Sequence, residues 1–287
     1  MKFQTGNWFL FILLSLVWGS SFILMKEGML YLSAWQVASI RVIAAGLVLA
    51  PLAFRSLKEI PKEKRSYVLI SGTLGSLLPA YLFCIAEEQV SSALAGVFNS
   101  LTPVFVFLVG ALFFGQSTKS TQLLGIAVAF FGSVLLFFSQ DKAEENNFIY
   151  VFIIIIATFC YGLNVNLVNR HLKSISSLKV VSVALSFNAL PAAVVLLSTD
   201  FFSKPFNQHF LWSTLCACIL GWAGTALASM LFYKLIKQAG IIFSSMVTYG
   251  IPVVAIIWGM IYGEDVGIAQ WACMLVILSG VYLATKK

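Results

Sequence analysis

Charged residues are scarce in this sequence, and their scarcity excludes a large class of proteins. Asp, Glu, Lys and Arg make up 10% of the 287 residues, whereas 60% are hydrophobic. Soluble globular chains carry about 25% charged residues, so this composition excludes an ordinary soluble domain. The mean hydropathy of +0.95 and the 25 phenylalanines are typical of a protein that lies in a lipid bilayer.

The sequence also lacks the residue patterns of a metal centre or a disulfide framework. Its two histidines, His171 and His209, lie far apart in the chain, and its five cysteines all lie inside apolar runs. Cys216 and Cys218 are two positions apart, which on a helix points them in different directions. We therefore predict no metal site, no cofactor and no disulfide, and we expect the cysteines to be packed thiols.

Long basic runs are missing too, although the net charge is +7. No run of Lys and Arg is long enough to follow a phosphate backbone on a soluble face, so we predict no nucleic-acid partner. The basic residues lie in short segments between apolar runs, where they act on membrane topology.

What the chain does contain is a series of apolar stretches of about 20 residues, the length that crosses a hydrocarbon core of about 30 Å. These stretches predict an all-α membrane protein with ten transmembrane helices. The predicted helices cover 7–25, 34–54, 67–86, 92–114, 121–139, 148–168, 178–198, 209–233, 240–261 and 268–285.

A segment of the first half recurs in the second half. When residues 72–110 are shifted by 149 positions, nine residues coincide, among them Gly75 with Gly224 and Pro103 with Pro252. The match indicates that the chain contains an internal repeat.

The charges inside this repeat are reversed between its two copies. The first copy carries Glu87 and Glu88 where the second carries Lys234 and Lys237. A repeat with an odd number of spans lies upside down in its second copy, so equivalent loops face opposite sides of the membrane. We therefore predict two inverted five-helix repeats. They cover residues 1–140 and 141–287.

The distribution of basic residues predicts which side each loop faces. With the N-terminus inside, the opposite side keeps only Lys26, Lys142 and Lys204. Cytoplasmic loops carry an excess of Lys and Arg, so we predict that both termini are cytoplasmic. The predicted cytoplasmic residues are Lys2, Arg55, Lys58, Lys62, Lys64, Arg65, Lys119, Arg170, Lys173, Lys179, Lys234, Lys237, Lys286 and Lys287.

The first helix of each half carries an aromatic residue and a polar residue three positions apart. A shift of 143 positions places Trp18 on Tyr161 and Ser21 on Asn164. Residues at this spacing share one helix face, and in the middle of a span they could line a cavity on the pseudo-twofold axis. The alternative is ordinary packing, because small and polar residues also hold membrane helices together.

Pro103 and Pro252 lie in corresponding predicted helices, and each follows a polar residue, Asn99 in one copy and Tyr249 in the other. Proline removes a backbone donor and loosens a helical turn. The two prolines are therefore candidate hinges or static kinks, and both interpretations permit Asn99 and Tyr249 to face a cavity.

Arg41 is the only ionisable residue well inside a predicted span. A charge at membrane depth is a functional-site hypothesis by default, and here it would bind a substrate carboxylate. The alternative is that the side chain reaches to the outer interface. The second repeat has no basic counterpart, since Ala184 and Leu185 occupy the equivalent region.

Acidic residues are absent from the middle of every predicted span. The nearest acids, Glu87, Glu88 and Glu264, fall at the outer ends of spans, and we expect them to be solvated loop charges. Proton-coupled carriers usually keep a titratable group in the pathway, so the sequence favours a facilitator or exchanger.

These motifs, in this order, resemble the drug/metabolite transporter superfamily, in particular its EamA-type members. The resemblance covers nearly the whole chain. It implies ten helices in two inverted halves, cytoplasmic termini, a central cavity, a bacterial inner (plasma) membrane location and the export of amino acids or other small metabolites. Gly115-Gln116 departs from the Gly-Glu that the family often has. The matching elements are Trp18-Gly19-Ser20-Ser21-Phe22, Arg41, Leu101-Thr102-Pro103-Val104-Phe105, Gly125 with Gly132, Ile251-Pro252-Val253, Tyr262-Gly263-Glu264 and Gln270 with Gly280.

The resulting functional hypothesis is a membrane carrier for a small organic metabolite, with amino acids as the first substrate class and a monomer or homodimer as the assembly. An antiporter of sugar phosphates or nucleotide sugars is the alternative, although phosphate recognition favours several cations. An intramembrane enzyme is more distant, because no nucleophile with a base is evident, and a channel lacks a filter motif. The candidate substrate-binding residues are Trp18, Ser21, Arg41, Tyr81, Asn99, Tyr161, Asn164, Trp222 and Tyr249.

Overall fold

A computed structural model describes residues 5–90, 92–117, 119–139, 148–261 and 267–285. Every regular element in these ranges is helical. Apolar runs fold in this way in lipid because a helix satisfies its backbone N–H and C=O groups within its own segment. The predicted repeat boundary at residue 140, the acid Glu264 and the charges at Lys2, Lys142, Lys286 and Lys287 lie outside the described residues.

Ten helical segments, α1 to α10, follow one another along the described residues. α1 covers Thr5–Met29, α2 covers Ala34–Glu59, α3 covers Lys62–Glu87, α4 covers Ser92–Asn99 and Thr102–Phe114, and α5 covers Ser120–Phe138. α6 covers Phe148–His171, α7 covers Ser177–Leu197, α8 covers Gln208–Ala239, α9 covers Ile241–Ser245, Met246–Tyr249 and Gly250–Ile261, and α10 covers Ile268–Thr285.

Eight segments have the length and composition of a membrane span, and the apolar helices Ser120–Leu136 and Ile241–Val254 are shorter. Large hydrophobic side chains are exposed on the outer faces of the bundle, as expected for contact with lipid. Examples are Phe54, Leu112, Phe148, Phe206 and Ile268. The prediction of an all-α membrane fold is confirmed for the described residues.

Local sequence determines where several helices begin and end. At the start of α2, the Ser33 side chain accepts a hydrogen bond from the Gln36 N–H while the Gln36 side chain accepts one from the Ser33 N–H, which is a capping box. Gly115 ends α4 with φ of 61°, and Gly240 separates α8 from α9 with φ of 87°. Side chains rarely adopt such angles, so glycine permits both of these helix ends.

Two pairs of helices depart from regular α geometry at similar places. α3 contains a π-helical stretch at Thr73–Leu77, and α8 contains one at Leu220–Leu227. α4 is interrupted just before Pro103, and α9 passes through a 3₁₀ stretch at Met246–Tyr249 just before Pro252. Each proline thus lies in the first turn of a new α-helix, where its missing N–H is not needed.

Helices from the two halves of the chain pack against each other throughout the bundle. α2 packs along α7, and α5 packs along α10. α1 contacts α8 and α9, while α6 contacts α3 and α4. The two halves therefore enclose a common interior rather than forming separate bundles.

Candidate functional site

A central cavity lies at the middle of the bundle and contains about 820 Å³ of space between protein atoms, counted with its opening. Residues of α1, α2, α3, α4, α6, α8 and α9 line it, so both halves contribute. Most of the lining is apolar or aromatic. Its polar residues, apart from Trp18, Tyr161 and Tyr233, are Ser21, Arg41, Ser76, Asn99, Thr102, Asn164, Thr225, Ser229 and Thr248.

Six of the nine candidate residues from the sequence lie together in this lining. They are Trp18, Ser21, Arg41, Asn99, Tyr161 and Asn164. The pairs Trp18 with Tyr161 and Ser21 with Asn164, which were matched by their spacing alone, meet around one cavity.

The other three candidates lie outside the cavity lining. Tyr81 shares a 2.7 Å hydrogen bond with Ser39 on α2. Trp222 is 47% exposed on the outer surface of α8. Tyr249 is completely buried and donates a 2.9 Å hydrogen bond to the Ile126 carbonyl on α5. These three side chains therefore lie away from the cavity that the other six candidates line.

Irregular helical geometry explains two of these misplacements. Trp222 lies in the π-helical stretch and Tyr249 in the 3₁₀ stretch, and neither geometry has the 3.6-residue period of an α-helix. Side chains therefore point in directions that α-helical spacing does not predict. Thr225 and Thr248, close by in the same stretches, line the cavity instead.

Arg41 supplies the positive charge of the cavity lining. Its Nε donates a 2.7 Å hydrogen bond to the Thr225 hydroxyl, and its Nη1 lies 3.8 Å from the Met25 sulfur. The ion pairs of the described residues do not include Arg41. A guanidinium carries five N–H donors, so donors remain for a ligand. The side chain lies at the cavity and not at the outer interface.

The π-helical stretch of α8 presents backbone carbonyl groups to side chains around the cavity. Trp18 donates its indole N–H to the Gly224 carbonyl over 3.0 Å, and the Thr225 hydroxyl donates to the Leu220 carbonyl over 3.3 Å. A π-helix alters the usual hydrogen-bond ladder, and buried carbonyl groups need donors from elsewhere. The Trp18 ring also packs edge-to-face on Phe232, with centroids 5.0 Å apart.

Tyr233 joins three helices at another part of the lining. Its hydroxyl lies 2.7 Å from the Ser71 hydroxyl on α3 and 3.0 Å from the Asn164 amide nitrogen on α6, with the Asn164 Oδ1 at 3.2 Å. Sequence reasoning missed Tyr233 because its counterpart in the first copy is Cys84, so the duplication does not mark it. The neighbouring Phe232 matches Phe83 in the first copy, and this match could have pointed to the region of α8 that contains Tyr233.

The remaining lining offers aromatic and hydroxyl groups. Tyr161 lies parallel to Phe83 with ring centroids 6.0 Å apart, and Asn99 accepts a 3.4 Å hydrogen bond from Thr102. The Ser76 hydroxyl, in the π-helical stretch of α3, is buried without a hydrogen-bond partner among the described residues. This hydroxyl is therefore available to a bound ligand.

Glu87 corrects a second expectation from the sequence. Its side chain at the end of α3 is only 5% exposed, whereas we expected a solvated loop charge. The neighbouring Glu88 is exposed, and its Oε1 accepts a 2.9 Å hydrogen bond from the Ala34 N–H at the start of α2. The sequence did not distinguish the two acids because burial at a helix end depends on the elements that pack there.

Comparison with known proteins identifies the family. The model of the EamA-like transporter family matches residues 6–138 and again residues 148–286. The chain belongs to the EamA-like transporter family. The resemblance seen in the sequence is confirmed, and the protein is a multi-pass membrane transporter.

Its relatives are distant but match along most of their length. A protein of Archaeoglobus fulgidus named an uncharacterized transporter is 22% identical over 98% of this chain and 99% of its own. The inner membrane transporter YedA of Escherichia coli K12 is 26% identical over 95% of this chain and 88% of its own. A probable amino-acid metabolite efflux pump of the same organism is 26% identical over 62% of this chain and 58% of its own.

A solved crystal structure has the same fold as this EamA-like transporter. It aligns with a TM-score of 0.75 over 98% of this chain and 96% of its own, at 13% sequence identity.

Proposed function

We propose that this transporter is a secondary carrier that exports or exchanges a small organic metabolite, with amino acids as its substrate class. The observation that carries the proposal is the central cavity, which combines aromatic walls with one guanidinium. Arg41 would bind the substrate carboxylate, and the aromatic rings of Trp18 and Tyr161 would contact its apolar part. The name of the distant efflux-pump relative agrees with this substrate class.

We further propose ten transmembrane helices in two inverted repeats, residues 1–140 and 141–287. Contacts at glycines support this arrangement, because three contacts in one half have partner contacts in the other under the sequence shifts of 143 and 149 positions. The π-helical stretches of α3 and α8 match in the same way. The matched glycine contacts are Gly75–Asn164 with Gly224–Ser21, Gly162–Phe105 with Gly19–Val254, and Gly72–Ala184 with Gly221–Arg41.

We propose a bacterial inner membrane location with both termini cytoplasmic. Three basic side chains lie together at one end of the bundle, which supports this orientation: Lys64 donates to Ser174, Lys237 donates to the Ile175 carbonyl, and Lys179 pairs with Glu59. A reporter enzyme that is active only in the periplasm, fused after residue 287, should be inactive. The same reporter fused in the loop after α7 should be active.

Transport would proceed by alternating access to the central cavity. On one side, Trp18 and Arg41 connect α1 and α2 to α8; on the other, Tyr233 connects α8 to α3 and α6. Breaking one set of bonds while keeping the other would open one side at a time. The interruptions before Pro103 and Pro252 provide points at which α4 and α9 could bend.

The alternative functions are less well supported by the geometry. A sugar phosphate or nucleotide sugar would favour several cations, and among the described residues that line the cavity Arg41 is the only Lys or Arg. The family consists of transporters, which are not enzymes. Described residues of a single chain line the cavity, which is compatible with a monomeric carrier, and a homodimer would contain two such cavities.

Reconstitution tests the proposal directly. Proteoliposomes that contain the purified protein should exchange a ¹⁴C-labelled mixture of the twenty amino acids, and exchange should collapse in Trp18→Ala and Tyr161→Ala. Trp222→Ala is the matched control, because it removes an equally large side chain outside the cavity. Equal rates in all three variants would contradict the cavity assignment, and no protein-dependent exchange would contradict the substrate class.

A further inference from the structure

The buried carboxyl group of Glu87 has an oxygen atom with no bonding partner among the described residues, and Glu87 does not line the substrate cavity. Its Oε2 receives one long hydrogen bond, 3.5 Å from the Ser92 hydroxyl on α4. Its Oε1 is buried and has no hydrogen-bond partner among the described residues. A buried ionised carboxylate needs donors or a paired cation, because its loss of hydration is otherwise uncompensated. A proton on Oε1 would remove this cost.

The position of Glu87 connects it to the cavity. Phe83 lines the cavity, and Glu87 follows it by four residues in α3, which places both on one helix face one turn apart. Arg41 lines the same cavity from α2. The carboxyl group of Glu87 therefore lies just beyond the cavity wall, on the side where the substrate's carboxylate would bind.

The charged and titratable groups around Glu87 come from every element that packs there. Lys26 on α1 and Arg41 on α2 act on it as cations, and Ser92 on α4 donates to it. On α3 itself the nearby titratable groups are Cys84 and Glu88. On α6, Tyr161 stacks on Phe83 and also lies in the field of Arg41. Arg41 is thus shared between the acid and the cavity.

We propose that Glu87 is a proton-binding site coupled to the substrate site through Arg41. When a substrate carboxylate binds the guanidinium, it neutralises a cation that stabilises the ionised Glu87. The Glu87 carboxylate then takes up one proton from water on its unpaired Oε1. Glu87 releases this proton when the substrate leaves. The inference rests on the proposed carrier function, because it assigns the ion that accompanies the substrate.

This coupling has a defined direction. The substrate and the proton bind together and cross together, so at zero membrane potential net flux runs from the acidic to the alkaline side unless the substrate gradient is larger. A metabolite that accumulates in the cytoplasm then leaves with a proton. The expectation of a facilitator or exchanger rested partly on Glu87 as a solvated charge, and the burial of Glu87 removes that ground.

Chemical labelling tests the acid without knowledge of the substrate. Dicyclohexylcarbodiimide reacts with protonated carboxyl groups in apolar surroundings, and mass spectrometry locates the adduct. In proteoliposomes at neutral pH that contain the amino-acid mixture, we expect modification of Glu87, less modification of Glu87 when the mixture is left out, and none of the exposed Glu88. Absence of an adduct at Glu87, or equal labelling of both acids, would overturn the proposal.

Transport assays test the coupling in the same proteoliposomes. Exchange of the ¹⁴C-labelled amino-acid mixture at equal pH requires the carrier but no net proton movement, and we expect it to continue in Glu87→Gln. An imposed difference of about one pH unit should sustain up to about a tenfold accumulation in the wild type at one proton per substrate. We expect Glu87→Gln to lose this accumulation and Glu88→Gln to keep it.

The outcomes separate the two proposals. Accumulation that persists in Glu87→Gln, or that follows a sodium gradient instead of the pH gradient, would overturn the proton site while leaving the carrier intact. Wild-type protein without exchange would refute the amino-acid carrier and, with it, the coupling.

Discussion

Trp18 donates its indole N–H to the Gly224 carbonyl over 3.0 Å, and this bond ties α1 to the π-helical stretch of α8. One side chain thereby lines the cavity and satisfies a backbone acceptor beside it. The bond also explains why tryptophan, and not only an aromatic ring, suits this position, because phenylalanine would leave the carbonyl without its donor.

We expect Trp18→Phe to lower the free energy of unfolding by about 1–3 kcal/mol, because a buried acceptor loses its partner while the aromatic packing on Phe232 remains. Thermal unfolding in detergent, followed by tryptophan-independent dye fluorescence, measures the change. Trp222→Phe is the control, since this exposed side chain should shift stability by less than about 0.5 kcal/mol. Equal shifts in the two variants would contradict the role of the Trp18 bond.

Gly75 should not tolerate a side chain. A Cβ at this position would overlap the Asn164 amide and come within 3.1 Å of the Tyr233 hydroxyl. We expect Gly75→Ala to reduce transport strongly and to lower the unfolding temperature. Gly96→Ala is the matched control, because among the described residues its Cβ would meet only Ile251, at 3.7 Å, and alanine favours the helix by about 1 kcal/mol. A benign Gly75→Ala would mean that α3 and α6 can separate freely.

The sequence predicted the membrane fold because lipid imposes one simple rule, a helix for each apolar run of sufficient length. The lengths predicted for α3 and α8 were too short, because both helices continue through charged segments, Lys62–Arg65 in α3 and Lys234–Lys237 in α8. Lys, Arg and Glu are good helix formers, so hydropathy marks the apolar part of a helix and not its ends.

Within the site, the sequence found residues that the repeat duplicates and missed those that it does not. Trp18 and Tyr161 were found because both copies keep an aromatic residue there. Tyr233 maps on Cys84 and has no matching counterpart, and its role arises from contacts between helices far apart in sequence. Thr225 maps on Ser76, and both hydroxyl residues line the cavity, but the match was missed because only identical residues were counted. The direction of the Trp222 side chain depends on the π-helical stretch of α8. No residue pattern in the sequence predicts that stretch.

The hydrogen bonds of Tyr233 make a second stability prediction. Tyr233→Phe leaves the Ser71 hydroxyl and the Asn164 amide without their shared partner, and we expect a loss of about 1–3 kcal/mol. Ser71→Ala alone should cost less. In a double-mutant cycle, the combined variant should lose less than the sum of the single losses, because the two residues share one bond. Strict additivity would show that the bond is not formed in the membrane-embedded protein.

Tyr249 provides a test that separates stability from transport. Its hydroxyl donates to the Ile126 carbonyl and connects α9 to α5 away from the cavity. We expect Tyr249→Phe to lower stability by about 1 kcal/mol while the substrate concentration for half-maximal exchange stays unchanged. A raised half-saturation concentration would place this hydroxyl in the substrate path after all.

Gln116 occupies a position where the family often has glutamate. Its hydrogen bonds explain why glutamine, and not glutamate, suits this position. Its Nε2 donates a 3.0 Å hydrogen bond to the Oδ1 of Asn166. The Asn166 amide nitrogen is already committed, because it donates to the Val106 and Gly162 carbonyls, each at 2.9 Å. A flipped Asn166 would turn its oxygen toward those two carbonyl oxygens, so the amide orientation is fixed and residue 116 must donate.

We therefore expect Gln116→Glu to lower the free energy of unfolding by about 1–3 kcal/mol at neutral pH, because a carboxylate places an acceptor against an acceptor. Gln122→Glu is the matched control. The Gln122 Oε1 accepts a 3.2 Å hydrogen bond from the Lys119 N–H, and a carboxylate accepts this bond equally well. Thermal unfolding in detergent compares the two variants. If Gln116→Glu is as stable as Gln122→Glu, the buried Asn166 is free to turn, and the departure from the family pattern has no structural cause at this contact.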